Sequence, residues 1–249
     1  MEQKEVSVGW ILRRCAVALV IAFSILAALI LIPVGLDQWK QAKTIRHVEA
    51  EAAVYLDEKY PGHDFQWEAY YEPKIQGYVV KVQSRSSRDS RFELEHMGDD
   101  AGFTRDSYAY MVPTCVTTRS RVGAEYDAAV REVLKGIPVH KVEGEIFDTK
   151  GGSRVGEAVS APDTVQWVLD QEYDVSRVGA QIGYVTLWID GTNGKYPEEK
   201  LDELVLQTAE ALEDAGIGFY AIDIMLADRR YYGSPLFHFE KRILKSELD

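Results

Sequence analysis

Near its start the chain turns apolar without interruption: from Cys15 to Gly35, 21 consecutive positions carry no charge. A helix rising about 1.5 Å per residue covers about 30 Å over that length, the thickness of a bilayer's hydrocarbon core. The pattern predicts a transmembrane helix at 15–35. Trp10 and Trp39 flank it where indoles favour the membrane interface, and Arg13 with Arg14 closes its first edge. A cleaved signal peptide fits less well, because its apolar run is about 7–15 residues and ends at a small-x-small cleavage site that IPVGLDQWKQAK lacks. Cys15 stands at the beginning of the run, whereas a lipid-attachment cysteine would close it. The segment therefore reads as an uncleaved signal anchor.

Past the span the period changes. Ile45, Val48, Ala52, Tyr55 and Leu56 follow the three-and-four spacing of an amphipathic helix that ends at Pro61 and Gly62. Phe65, Trp67, Ala69 and Tyr71 then alternate with more polar neighbours as a strand, and GYVVKVQS and RFELEH supply two more. HMGDDAGFTRD reads as a surface loop. A second helix is predicted over 119–135 from Val122, Tyr126, Ala129, Val130, Val133 and Leu134, and it stops at Gly136 and Pro138. PVHKVEGEIF is a strand, a short helix is predicted from Ser160–Pro162 through Trp167 to Leu169, and IGYVTLWID is a strand apolar on both faces. Pro197, Glu198 and Glu199 open a helix closed by Gly216, and FYAIDIML and LFHFEKRI finish the chain as strands. The fold class is α+β: an N-terminal transmembrane helix followed by two small helix-plus-antiparallel-sheet units. The divisions are a cytoplasmic tail at 1–14, the anchor at 15–35, a first unit at 36–116 and a second at 117–249.

Charge changes the picture of partners. The chain carries a net −12, and its first 36 residues hold three basic and two acidic groups, so the remainder holds −13. Such a surface repels phosphates, which argues against a nucleic-acid role or a polybasic attachment to anionic lipid. The run with Arg85, Arg88 and Arg91 accordingly reads as a solvated hairpin loop. Cys115 stands alone outside the span and cannot close an intrachain disulfide, so stability must come from apolar burial. A single-membrane bacterial envelope suits that better than a disulfide-rich compartment.

Candidate chemistry is sparse. His47, His63, His96, His140 and His238 are scattered singly, and Asp99, Asp100 and Asp106 lack the alternate spacing and closing glutamate of a calcium loop. There is no G-x-S-x-G elbow or P-loop, and GIG at 216–218 lacks the third glycine of a dinucleotide fingerprint. VPTCVTT does not look like the helix start with a basic neighbour that would activate Cys115, and Asp170, Glu172 and Asp174 carry no weight as a glycosidase pair among 40 carboxylates. Tyr70, Tyr71, Tyr108, Tyr110, Tyr231 and Tyr232 could line a ligand groove or simply pack. No catalytic residue, cofactor or metal ligand is named.

Orientation follows from charge beside the span. Lys4, Arg13 and Arg14 precede it and Lys40, Lys43 and Arg46 follow, but the arginine pair abuts the apolar run and the far side begins with Asp37. That places the N-terminus inside and residues 37–249 outside the cell membrane, as a single-pass protein. YLDEKYPG, GYVVKVQSRSSRDSRFEL, DSYAYMV and EYDAAVREVL, with EYDVSRVGAQIGYVTLWID and GIGFYAIDIMLAD later, resemble the uncharacterised YfjL-like proteins of Bacillota. The resemblance spans nearly the whole chain and implies a small membrane-anchored α+β protein, with no catalytic residues to carry over. The function expected is a non-catalytic extracytoplasmic module that binds a protein or peptide. The alternatives are a sensor or assembly subunit, whose span would use Ala16, Ala18, Ala22, Ser24, Ala27 and Ala28 against a partner helix, and a membrane-tethered enzyme.

Overall fold

The first amphipathic stripe forms helix α1, residues 38–59, in a computed structural model that describes residues 38–98, 102–147, 165–190, 198–228 and 236–248. The span expected at 15–35 lies outside the described residues, and among those described no helix is long and apolar enough to cross a membrane. The chain divides into two units. One runs to Gln83 and resumes at Glu93–Asp106; the other holds Ser84–Phe92 and Ser107–Asp249.

In the first unit, β1 (Phe65–Glu72), β2 (Gly77–Ser84), β3 (Arg91–His96) and β4 (Phe103–Asp106) form one sheet in that order. Strand β4 falls within the stretch expected to be a loop: Phe103, Arg105 and Asp106 pair antiparallel with β3, Leu94 facing Asp106, with a bulge at Thr104. Helix α1 buries Val48, Ala52 and Leu56 completely or nearly so, as the spacing predicted. Two polar ties fix it to the sheet. His96 is fully buried, its Nδ1 accepts from the Gly98 amide at 2.8 Å, and its Nε2 therefore donates to Glu51 Oε2 at 2.7 Å. At the other end of the helix, Tyr55, Lys59 and Tyr60 all donate to Asp106 Oδ2, at 2.9, 2.7 and 2.6 Å.

The second unit begins with a short helix α2 (Tyr108–Met111) and the long α3 (Val116–Val133), followed by a single 3-10 turn at Leu134–Gly136. Then come β5 (Lys141–Ile146), α4 (Val175–Ile182), β6 (Gly183–Asp190), α5 (Glu198–Asp214), β7 (Ala221–Asp228) and β8 (Leu236–Leu244). The strands lie in the order β5-β6-β7-β8. This sheet is mixed, which corrects the expectation of an antiparallel one: β5–β6 and β7–β8 are antiparallel, but β6 and β7 are parallel. The reason is α5, which intervenes between them and carries the chain back along the sheet, so that both strands start from the same end. The short helix also differs. Of the helix expected from Ser160–Pro162 to Leu169, residues 160–164 lie outside the described residues and 165–169 are not helical; α4 starts further on, where the Asp174 carboxylate accepts from the Ser176 and Arg177 amides, at 3.0 and 3.2 Å, and caps it.

One face of the mixed sheet carries Val185, Leu187, Ile189, Ile222 and Ile224, packed under Tyr126 and Val130 of α3, Leu134 of the 3-10 turn and Leu201, Leu204, Val205 and Leu212 of α5. The opposite face holds polar pairs, among them Arg242 on Asp223 at 2.6 and 2.7 Å. Helix α3 comes unusually near the backbone beneath it. A Cβ at Gly179 would stand 2.4 Å from the Tyr126 ring, and one at Gly183 would stand 2.6 Å from its hydroxyl, so only glycine admits the ring at either place. The Gly144 amide of β5 donates to Asp127 Oδ1 of α3 at 2.8 Å, where a Cβ would lie 3.0 Å from the Asp127 Cα.

Two substitutions test this packing through the thermal midpoint of unfolding. Gly179→Ala should lower stability by about 1–3 kcal/mol, the usual cost of overpacking. The Tyr126 hydroxyl is buried with no hydrogen-bond partner among the described residues. Tyr126→Phe removes that polar group at nearly constant volume, so stability should hold or rise by about 1 kcal/mol, whereas Tyr126→Ala should cost about 3–5 kcal/mol.

Candidate functional site: an arginine-walled groove

The serine-arginine run does not form the wholly solvated loop expected of it. Its serines bond back on themselves: the Ser86 and Ser87 amides donate to Ser84 Oγ, both at 3.2 Å, and the Ser90 amide donates to Ser87 Oγ at 2.9 Å. That tight turn lets Asp89 and Ser90 go inward, to 2% and 5% exposure, while Arg85, Arg88 and Arg91 remain outside.

A buried carboxylate needs a counter-charge, and α3 provides one. Arg121 grips Asp89 bidentately, Nε to Oδ1 at 3.1 Å and Nη2 to Oδ2 at 3.1 Å. Its remaining donors reach the Gln171 carbonyl at 2.7 Å and Glu125 Oε1 at 3.0 Å. The Asp89 amide donates to Asp170 Oδ1 at 2.8 Å, and the Thr117 hydroxyl donates to the Asp89 carbonyl. Asp170 takes this place in a left-handed backbone conformation, φ 62°, which aspartate tolerates better than most residues. Nearby, Arg88 Nη1 meets Glu172 Oε1 at 2.6 Å.

These groups border a groove of about 460 Å³, lined by Arg88, Asp89, Arg91, Ser120, Arg121, Ala124, Glu125 and Ala128. Three arginines stand around it, and small alanines form its α3 side. Burial pushes the Asp89 carboxyl up, but the Arg121 hydrogen bonds, with help from the nearby Thr118 hydroxyl and the charges of Arg121 and Arg88, win and hold it below the usual carboxylate range. Asp89 holds Arg121 correspondingly more firmly in its charged form. Arg88 and Glu172 shift each other the same way, Arg88 up and Glu172 down, through their hydrogen bond, but in full solvent exposure.

Of the residues weighed in the sequence, Asp170 and Glu172 join this cluster, whereas Asp174 caps α4. Cys115 does stand at a helix start, contrary to the reading of VPTCVTT, since it caps α3 in a left-handed conformation, φ 56°. Burial nevertheless pushes its thiol up, against the opposing charge of Arg119, so it is held as a thiol, 3.7 Å from the Trp167 carbonyl. Tyr70 and Tyr71 lie on β1 of the first unit, Tyr108 and Tyr110 on α2 of the second, and Tyr231 and Tyr232 lie outside the described residues. Among the described residues no group of three or more His, Cys, Asp or Glu side chains is placed to hold a metal ion. Asp89 and Arg121 were missed because they are 32 positions apart and each looks like an ordinary surface charge; only the helical Arg121–Glu125 spacing hinted at an organised polar edge.

Neither a protein-family model nor a curated protein matches the chain. Among solved structures, a DUF5037 family protein from Ruminococcus gnavus is similar over 72% of this chain and 73% of its own, at 13% identity and a TM-score of 0.24. A likeness that remote carries no argument about fold or function.

The Asp89–Arg121 pair sets two expectations. Arg121→Leu strands a buried carboxylate and should destabilise by about 3–5 kcal/mol, while Asp89→Asn with Arg121→Leu should recover part of that loss in equilibrium unfolding. Because the Asp89 pKa is lower folded than unfolded, its contribution is complete above the unfolded carboxylate value of about 3.9 and fades as pH falls through the folded value. Unfolding measured from neutral pH downward should therefore show a loss below about pH 4 that is smaller in Asp89→Asn.

Proposed function

We propose that this protein is a non-catalytic binding module of the YfjL-like kind, held outside the cell membrane by a single N-terminal span. Its second unit takes an acidic segment of a peptide or protein in the arginine-walled groove. The observation that carries the reading is that groove, which gathers Arg88, Arg91 and Arg121 on a chain whose net charge is −12. A carboxylate is the chemistry such a concentration of guanidinium groups recognises best.

The parts of the groove suit binding rather than turnover. Arg121 is fixed by Asp89, Glu125 and the Gln171 carbonyl, so it shapes the wall and adds field without needing to move. Arg88 pairs with Glu172 in full solvent exposure and also donates to the Asp170 carbonyl at 3.4 Å, and an incoming carboxylate can replace Glu172 at small cost. Arg91 is exposed and has no ion pair among the described residues. The pKa shifts drive these groups away from neutrality, Asp89 and Glu172 down and both Arg88 and Arg121 up, which leaves them poorly matched to general acid or base catalysis near pH 7. The anchor is supported by the 21 uncharged positions, the orientation by the arginines beside them, and the exclusion of nucleic acid by the charge of the remainder.

The test is a titration of the full chain in lipid nanodiscs with a glutamate-rich peptide and a lysine-rich peptide of equal length. The glutamate-rich peptide should bind, less tightly in high salt, and Arg91→Glu should weaken it about tenfold or more. Equal binding of both peptides, or an Arg91→Glu variant that binds as before, would overturn the proposal.

A further inference from the structure

The first unit has one end that differs from the rest of its surface. Helix α1 runs antiparallel to β1: Tyr60 near its last turn lies edge-on to Phe65 at the start of the strand, 6.0 Å between rings, and Glu49 earlier in the helix accepts from the Ala69 amide at 3.4 Å. Further toward the helix N-terminus, Thr44 and Tyr78 both flank Gly98, where a Cβ would stand 3.9 and 2.8 Å from them. The opening turns of α1 thus share an end of the unit with the β1–β2 turn and the exit of β3.

Apolar side chains crowd that end. Trp39 opens α1 at 65% exposure, Met97 follows β3 at 45%, and Tyr71 stands at 36%, its ring edge-on to Tyr78 at 5.5 Å. Ile75 sits in the turn, and its Cδ1 and the Met97 sulfur lie 3.6 and 3.4 Å from where a Gly77 Cβ would be. Three of the five large apolar side chains exposed among the described residues of this unit are therefore at one end. Lys40 and Lys74 are exposed beside them.

Where the chain comes from decides what covers this end. The expected span closes at Gly35, and the chain is described as helical from residue 38. Three extended Cα steps reach only about 10 Å, so residue 38 cannot stand far from the end of a span that closes at Gly35. Indole, phenol and thioether groups held at that height meet the interfacial layer, which accepts rings with one polar edge.

We propose that this end of the first unit is a foot that seats in the interfacial region of the bilayer, with Trp39, Tyr71, Ile75 and Met97 among the headgroups and Lys40 and Lys74 reaching lipid phosphates. The inference rests on the reading of 15–35 as a membrane span. Asp99 and Asp100 follow Gly98 in sequence, so attraction to anionic lipid is not the driving term, and zwitterionic lipid suffices. The foot fixes the first unit against the membrane instead of leaving it to swing on its anchor.

The experiment uses the full chain with Cys15→Ala in phosphatidylcholine nanodiscs, where buried Cys115 should leave the parent unlabelled. A fluorophore is attached in turn to Ile75→Cys, Met97→Cys and Glu58→Cys, the last exposed at the far end of α1, and quenched by lipid carrying a headgroup nitroxide. Quenching should be several-fold stronger at 75 and 97 than at 58, and Trp39→Ala with Tyr71→Ala should bring position 75 toward the level of 58. Equal quenching at all three positions in a chain that stays with the nanodisc overturns the foot and leaves the anchor standing. Elution of the chain apart from the nanodisc overturns the anchor and the foot together. Loss of quenching at 75 and 97 as protein density rises assigns this end to a second copy and overturns the foot as well.

Discussion

Helix α3 of the second unit lies against backbone that has no side chains to hold it away. Tyr126 enters a space bounded by Gly179 and Gly183, and Asp127 meets the Gly144 amide directly. Interiors packed at crystal-like density do not tolerate an added methyl at such places, so the position of the helix is specified closely. That position has a consequence five residues earlier. Arg121, somewhat more than one turn from Tyr126, arrives where its guanidinium closes on Asp89, and a carboxylate that could not otherwise be buried becomes part of the wall of the groove.

The elements that were legible in the sequence owed it to periodicity. The stripes of α1, α3 and α5 reappear, and β1, β2, β3, β7 and β8 stand where strands were expected, although Trp67 and Tyr71, placed on the buried face of β1 by the alternation, are exposed. Strand direction leaves no such mark. Parallel and antiparallel neighbours share the same alternation, so the pairing of β6 with β7 could be deduced only from the order of a strand, a long helix and a strand at 183–228. Strand β4 escaped because four residues among glycines and aspartates look like a loop, and α4 because its start is set by the Asp174 cap alone. The site was less legible still. A buried aspartate inside a serine-arginine run has no local signature, since its counter-charge comes from another element.

Electrostatics connects the fold to the proposed role. The proposed groove sets Arg88, Arg91 and Arg121 against Asp89 and Glu125 in its lining, so an acidic segment would meet less repulsion there than over a chain of net charge −12. The Asp89–Arg121 pair keeps one arginine rigid, and the exposed Arg88–Glu172 pair leaves another exchangeable. An anchor and an interfacial foot would hold the first unit at a set height, and a chain so tethered would meet tethered partners at raised effective concentration.

The proposed role requires the chain to be retained in the bilayer with its folded units outside. The direct measurement is labelling of Leu206→Cys, at a position on α5 that is 51% exposed, with a membrane-impermeant maleimide on intact spheroplasts, followed by alkaline carbonate extraction. The expected result is labelling before lysis, with the labelled chain remaining in the membrane pellet. Labelling only after permeabilisation, or release of the chain into the carbonate supernatant, would contradict the account.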